Sequence, residues 1–211
     1  MASRFAPEGA RAGLAALYAF DLELSRIVGV VSQQLMGEIR LAWWRESLEA
    51  VAAGKPGRHP VLDALAPLVR EGRLSHMALE ALIEARHADL DADALADDAT
   101  RLSYIDGTVG AVMALAAGLL DPAAKPEATL SAGRAWGWAG LVRTGKITAE
   151  AARPHLMAAL AAARTELKAL PVAAFPAAAY ATFAADYLKG RSPSELEKRL
   201  RLVWATAKGG I

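Results

Sequence analysis

The 211-residue chain has no cysteine, which excludes disulfides, thiolate metal sites and a cysteine nucleophile together. A reducing, cytoplasmic location is therefore expected. An excess of charge of either sign is also absent, because 24 basic residues face 23 acidic ones and leave a net charge of +1. Nucleic acid is thus not an expected partner, and partner choice must come from local features.

Long apolar segments are missing as well. The first eight residues contain no apolar core of the kind that a secretory signal requires. The longest uncharged apolar runs, 107–120 and 171–185, are shorter than the about 20 residues that a spanning helix needs, and Pro176 interrupts the second. The sequence predicts no transmembrane span and leaves peripheral membrane contact open.

What the chain does have is apolar residues at i, i+3 and i+4 spacing almost throughout, and 54% of all residues are hydrophobic. Alanine, leucine, glutamate and arginine dominate, and all of them favour helices. We expect a single all-α domain, a helical bundle, because the length suits one core better than two.

The first two predicted helices have clear apolar stripes. The first covers about residues 10–31, with a stripe of Leu14, Leu17, Tyr18, Leu22, Ile27 and Val28. The second, capped by Ser32, ends near the breaker at 54–57, and we expect it to direct toward the core Leu35, Met36, Ile39, Trp43 and Leu48.

Caps and breakers predict the remaining helices. His59-Pro60 opens a third helix and Ser75 caps a fourth, and the acidic stretch 89–98 leads into a long apolar helix that ends near Leu120. Others cover about residues 128–142, 148–170 and 176–188. Ser192-Pro193-Ser194-Glu195 predicts a capping box with proline at the first helical position.

Several other chemistries find little support in the sequence. The four histidines show no i, i+4 pair, so neither zinc nor another metal is expected. The glycines at 107 and 110 could belong to a phosphate loop, but they fall within a helical apolar run, which favours close helix packing. Trp43 and Trp44 are consecutive and cannot both face one core, so one of them could line a cavity or a surface.

A colinear set of short motifs resembles the squalene and phytoene synthases. The set begins with Ala15–Phe20, Trp44–Leu48 and His59–Val61, and it continues with Glu84–Leu90, Gly107–Gly110 and Gly133–Ala135. In that family two aspartate-rich helical motifs face each other across a central cavity. Carboxylates one turn apart share a helix face, so they can share magnesium ions that hold a diphosphate leaving group.

Both aspartate motifs are degenerate in this chain. The family pattern places Ser25 and Gly29 at the two aspartates of the first motif and Arg26 at an adjoining acidic position. The nearby Asp21 and Glu23 point about 200° apart around a helix, so they cannot share one metal ion. The second motif begins at Gly133, and its polar positions read Gly137, Gly140, Arg143 and Thr144, of which only the arginine is retained. The resemblance therefore implies a chain with no catalytic residues and no cofactor.

A second set of residues resembles a divergent branch of this family that contains mitochondrial complex I assembly proteins. This set is Phe20–Leu24, Val31-Ser32, Gly37, Arg40-Leu41 and Trp44. Members of that branch also lack the aspartates and act in assembly without synthase turnover, so the likeness implies a non-catalytic role.

Three hypotheses follow. The chain is a pseudoenzyme that assists assembly through a protein partner, a module that binds an apolar or prenyl ligand, or an active head-to-head prenyltransferase. The residues expected to contact a ligand or partner are Arg40, Trp44, Arg45 and Trp136.

Overall fold

The computed structural model describes residues 5–30, 33–91 and 93–211, with the backbone alone for Val30. Every regular element in these ranges is helical, which confirms the predicted all-α class. The α-helices are α1 (Glu8–Val30), α2 (Gln34–Ala52), α3 (Pro60–Arg70), α4 (His76–Ala85), α5 (Asp98–Ile105), α6 (Ala111–Leu120), α7 (Leu130–Arg143), α8 (Ala149–Glu166), α9 (Phe175–Ala178), α10 (Ala184–Leu188) and α11 (Glu195–Lys208).

Side-chain caps begin the third, fourth and fifth α-helices near the places that the sequence predicts. His59 Nδ1 accepts a hydrogen bond from the Val61 amide at the start of α3, and Ser75 Oγ accepts one at the start of α4. Asp97 and Thr100 form a reciprocal capping box that begins α5. Ser32, the predicted cap of α2, lies outside the described residues.

The predicted cap of α11 is wrong by two residues. Ser194, not Ser192, occupies the N-cap position, and its Oγ accepts a hydrogen bond from the Glu197 amide at 3.2 Å. Pro193 thus precedes the cap and is not the first helical residue. Both serines are followed by a glutamate three positions later, so local sequence alone permits either register.

The chain divides into two compact units, Ala12–Val112 and Met1–Arg11 with Met113–Ile211, and each is described by itself. The expectation of one domain stays a prediction.

In the unit Ala12–Val112, the face that α2 buries agrees with the prediction only in part: Leu48 is buried and Trp43 is half-buried. Gly37, Leu41, Trp44, Ser47, Leu48 and Val51 are buried, whereas Leu35, Met36 and Ile39 are exposed. The lack of a side chain at Gly37 explains why this face of α2 is the buried one, because a Cβ atom there would collide with the Leu90 side chain. On α1, similarly, Leu22 and Val28 of the predicted stripe are exposed, and Phe20 and Leu24 are buried instead.

The long apolar helix is continuous over Asp98–Leu120, with a π-helical turn at Asp106–Gly110 between α5 and α6. Gly107 lies in this turn, where a Cβ atom would come within 3.0 Å of Ala85, so close packing accounts for the glycine. This helix of 23 residues is long and apolar enough to cross a membrane by length and composition alone. The uncharged run within it is still 107–120, so the absence of a transmembrane span stays a prediction. Core helices of soluble proteins share that length and composition.

In the other unit, α7 packs along α8. The Glu166 carboxylate accepts hydrogen bonds from the Ser131 amide and hydroxyl at 2.9 and 2.7 Å, and the Trp138 ring stacks on His155. The predicted helix over 176–188 is instead an alternation of α9, a 3-10 turn at Ala179–Phe183 and α10.

Candidate functional site

The first aspartate-motif positions lie on α1. Ser25 Oγ donates to the Leu22 carbonyl at 2.9 Å, so its hydroxyl is engaged with its own helix. Glu23 and Arg26 form an exposed ion pair with 3.6 Å between Oε1 and Nη1. Gly29 is exposed, and a Cβ atom there would meet nothing within 4 Å. None of these positions offers an uncommitted carboxylate.

Asp21 belongs to a partly buried polar network, which we call the Arg86 cluster: Asp21, Arg86, Asp89 and Tyr104. Arg86 Nη2 donates to Asp21 Oδ1 at 2.6 Å, and Arg86 Nη1 donates to Asp89 Oδ2 at 3.1 Å and to Tyr104 Oη at 3.0 Å. The Tyr104 hydroxyl in turn donates to Asp89 Oδ1 at 2.9 Å. The network joins α1, the 3-10 turn Arg86–Asp89 and α5 within one unit.

Burial and neighbouring charges shift the pKa of Arg86 in opposite directions. Desolvation alone would lower its pKa, but the nearby Asp21, Tyr104 and Asp89 raise the pKa above its ordinary value, so the guanidinium is charged. Burial raises the pKa of the Tyr104 phenol well above its ordinary value, so the hydroxyl stays protonated and donates a hydrogen bond to Asp89. The Asp21 carboxylate is therefore paired with a permanent internal cation.

The residues present do not fit the magnesium site that the family implies. A divalent ion about 5 Å from the Arg86 guanidinium would be repelled by on the order of 7 kcal/mol at an effective dielectric constant of about 20. That repulsion is as large as the attraction of one carboxylate at the same separation. Within residues 5–30, 33–91 and 93–211, no group of three or more His, Asp or Glu side chains could hold a metal ion.

The second aspartate-motif positions lie on α7 in the other unit. Gly133 and Gly137 are buried, and a side chain at Gly140 would meet nothing within 4 Å. Thr144 Oγ1 donates back to the Gly140 carbonyl at 2.9 Å, while Arg143 is exposed. As on α1, the polar group that remains is engaged with its own helix.

An aromatic cavity of about 310 Å³ lies beside α7 in this unit. The Trp136 ring stacks on Tyr180 with 5.9 Å between centroids and meets Tyr187 edge-on at 5.6 Å. Arg143 brings positive charge to the lining, whereas Lys198 is paired with Glu195 at 2.8 Å. The lining consists of Trp136, Arg143, Tyr180, Phe183, Tyr187, Glu195, Lys198 and Leu202. The cavity offers apolar contact together with a cationic edge.

The α2 residues that the sequence singles out have different surroundings. Trp44 is buried and its ring contacts Phe20 and His59, so it serves the core of its unit. Arg40 and Arg45 are exposed. Arg45 lines a cavity of about 290 Å³ with Ile39 and with His87, whose Nδ1 lies 2.7 Å from Glu38 Oε2.

Sequence reasoning did not identify the Arg86 cluster or the aromatic set around Tyr180. One available signal was the position of Arg86 and Asp89 inside a family motif, because a charge pair three residues apart can share a helix face. For Tyr180 and Tyr187, seven residues apart, a helical spacing was present but the interruption of the helix was not foreseeable.

Comparisons with known proteins define the class. The family model for squalene/phytoene synthases matches residues 1–153, which is more than half of the chain. The chain therefore belongs to the squalene/phytoene synthase family, and its all-α fold is that of the isoprenoid synthases. No solved structure matches it.

Curated relatives carry the name NADH dehydrogenase (ubiquinone) complex I, assembly factor 6. The chain is 27% identical to the protein of Bos taurus and 25% identical to that of Homo sapiens, in each case over 115 residues, which are 54% of this chain and 34% of the relative. It is 27% identical to the protein of Mus musculus over 109 residues, which are 52% of this chain and 33% of the relative. The predicted likeness to the assembly-protein branch is confirmed, over about a third of each relative's length.

Proposed function

We propose that this protein is a non-catalytic member of its family that binds a protein partner and assists assembly of an NADH dehydrogenase complex. The observation that carries the proposal is the pairing of Asp21 with Arg86, at a place where the family's chemistry needs carboxylates free to hold magnesium. The names of the relatives support the assembly role. A cytoplasmic location with peripheral membrane contact is part of the same proposal.

Charge at the motif positions gives the chemical reason for the absence of turnover. A prenyl diphosphate carries about three negative charges, and its ionisation needs metal ions held by several carboxylates. Ser25, Gly29 and Gly140 supply none, and Arg143 repels a cation. Loss of such charge stabilisation costs several kcal/mol, which is orders of magnitude in rate.

The first experiment is incubation of the pure protein with labelled farnesyl or geranylgeranyl diphosphate and magnesium. We expect no squalene or phytoene. The Ser25→Asp/Gly29→Asp variant is the comparison, and the open space at Gly29 accepts the new side chain. We expect tighter magnesium binding in the variant than in the unmodified chain. Magnesium-dependent product from the unmodified chain would refute the proposal and favour the active prenyltransferase.

The second experiment tests the partner. Leu35, Met36 and Ile39 form an exposed apolar surface on α2, inside the part of the chain that matches the family. In cells that lack the protein we expect less assembled NADH dehydrogenase. Wild type and Val172→Asp, a change at another exposed apolar residue, should restore it, and Ile39→Asp should not. Full restoration by Ile39→Asp would exclude this surface, and unchanged enzyme levels in the deletion strain would exclude the role.

The aromatic cavity favours a second candidate function, the binding of an apolar or prenyl ligand. Its rings can hold a chain of apolar carbons, and Arg143 lies where an anionic head group would be attracted. Farnesol is the probe: Trp136→Leu should weaken its binding, whereas Val172→Ala at an exposed residue outside the cavity should not. No farnesol binding by the wild-type protein would remove this candidate.

A further inference from the structure

Ion pairs help to attach the last described helix, α11, to its unit. Arg201 Nη1 pairs with Asp186, and Arg191 Nη2 pairs with Glu197 at 2.6 Å. Arg191 Nη1 lies 3.1 Å from Asp186, so the two arginines share that buried aspartate. Of the apolar residues of α11, only Leu202 and Ala205 are buried.

The wider apolar side of α11 faces outward. Leu196, Leu200, Val203 and Trp204 are between 49% and 68% exposed. Their spacing of four, three and one places them within about 100° of one another around the helix. A surface helix ordinarily turns such a stripe toward the core, so this arrangement is the reverse of the usual one.

Positive charge flanks the outward stripe. Arg199 lies at one edge, and Lys208 lies at the other with its Nζ 4.3 Å from the centroid of the Trp204 ring. The helix has four basic residues (Lys198, Arg199, Arg201, Lys208) against two acidic ones (Glu195, Glu197). Both glutamates are already neutralised, Glu195 by Lys198 at 2.8 Å and Glu197 by Arg191. The outer side of α11 is thus apolar and positively charged.

We propose that α11 docks this protein onto an anionic lipid surface. Its leucines, valine and tryptophan enter the boundary between head groups and acyl chains, and Arg199 and Lys208 reach lipid phosphates. A second copy of the chain is a poorer occupant, because a two-fold pairing of α11 would bring its basic edges toward each other. The helix lies outside residues 1–153, so the proposal does not depend on the family match. It does rest on the peripheral membrane contact proposed above, for which it names the surface and the lipid charge.

The test is sedimentation of the full chain with vesicles of phosphatidylcholine, with or without phosphatidylserine. We expect at least tenfold tighter binding to the anionic vesicles, weakened by salt. Leu200→Glu should abolish binding, and Arg199→Gln/Lys208→Gln should weaken it by roughly tenfold or more, since each basic residue near an anionic surface contributes about a fivefold factor. Val172→Glu, at an exposed apolar residue that is not part of α11, is the matched control and should bind like wild type.

Two further measurements keep the result interpretable. Far-UV circular dichroism should show that Leu200→Glu is folded, as expected for a change at a side chain that is 62% exposed. If Leu200→Glu no longer binds vesicles but still restores NADH dehydrogenase assembly, the membrane-docking proposal and the assembly proposal are shown to be separate. Failure of the wild-type chain to bind anionic vesicles would overturn the proposal. Sedimentation as a dimer that Leu200→Glu dissociates, without vesicle binding, would overturn it in favour of self-association.

Discussion

Removal of the Arg86 guanidinium should destabilise the protein more than any exposed charge change. In Arg86→Met the side chain keeps its approximate length, but Asp89, whose side chain is 9% exposed, loses its cation. Removal of one partner of a buried ion pair costs about 3–5 kcal/mol, and the hydrogen bond that the Tyr104 hydroxyl still donates to Asp89 offsets only part of that cost. Asp21 is 27% exposed and adds less, because water can solvate it. Arg40→Met is the matched control, since Arg40 is exposed, and it should change stability by at most about 0.5 kcal/mol.

Urea unfolding followed by circular dichroism measures this difference. With a slope of about 2 kcal/mol per molar urea, the midpoint of Arg86→Met should fall by about 1.5–2.5 M relative to Arg40→Met. The defect should shrink at low pH. Burial without a cation disfavours the charged form of a carboxylate, so protonation at low pH removes part of the cost. Arg86→Lys should lie between the two, because an ammonium keeps the charge but lacks the planar fork in which Nη2 reaches Asp21 while Nη1 reaches Asp89 and Tyr104. Equal midpoints for Arg86→Met and Arg40→Met would refute the reasoning.

Three other predictions each test a single feature of the structure. Gly37→Ala should cost about 1–3 kcal/mol in urea unfolding through collision with the adjoining leucine, whereas Gly140→Ala, in open helical surroundings, should stabilise by about 0.5–1 kcal/mol. Equal effects of Gly37→Ala and Gly140→Ala on stability would contradict the tight packing of Leu90 against Gly37. Ser194→Ala should lower the free energy of unfolding by about 1 kcal/mol and Ser192→Ala should leave it almost unchanged in the same assay. The opposite order would show that Ser192 is the cap, as the sequence predicts. Because burial raises the pKa of Tyr104, its contribution to stability is present below pH about 10 and lost as pH rises above it, and Tyr104→Phe should flatten that decline in alkaline urea titrations.

The sequence predicts helix positions well where a cap or a breaker acts locally. His59, Ser75 and Asp97 each cap the helix that follows, because a cap depends on dihedral angles and atoms within four residues. The same locality explains the error at Ser192, where two equivalent patterns overlap and only the path of the chain selects one.

Helix faces were less predictable than helix limits. The second helix has apolar residues on more than one side, and periodicity favoured Leu35 and Ile39 for the core, whereas Leu41 and Trp44 are the residues that are buried. The tertiary structure decided between them through the close approach of Leu90 to Gly37, a contact 53 positions apart in the chain. The sequence makes α11 amphipathic, but it does not say which side of the helix faces the rest of its unit. Burial of Leu202 and Ala205 and the ion pairs Arg201–Asp186 and Arg191–Glu197 accompany the outward position of the apolar stripe.

By itself, the sequence determined the helical class, the family and the loss of the metal-binding aspartates, since each depends on residue identity or on spacing along one helix. Only the tertiary structure decided that Asp21 is paired with Arg86, 65 positions away, and that Tyr104 completes the network. It also assembled the aromatic cavity and turned the apolar side of α11 outward. The physical reason is the same in each case. A charge or an aromatic ring acts on whatever lies within a few ångströms, and the sequence does not specify which distant residue that is.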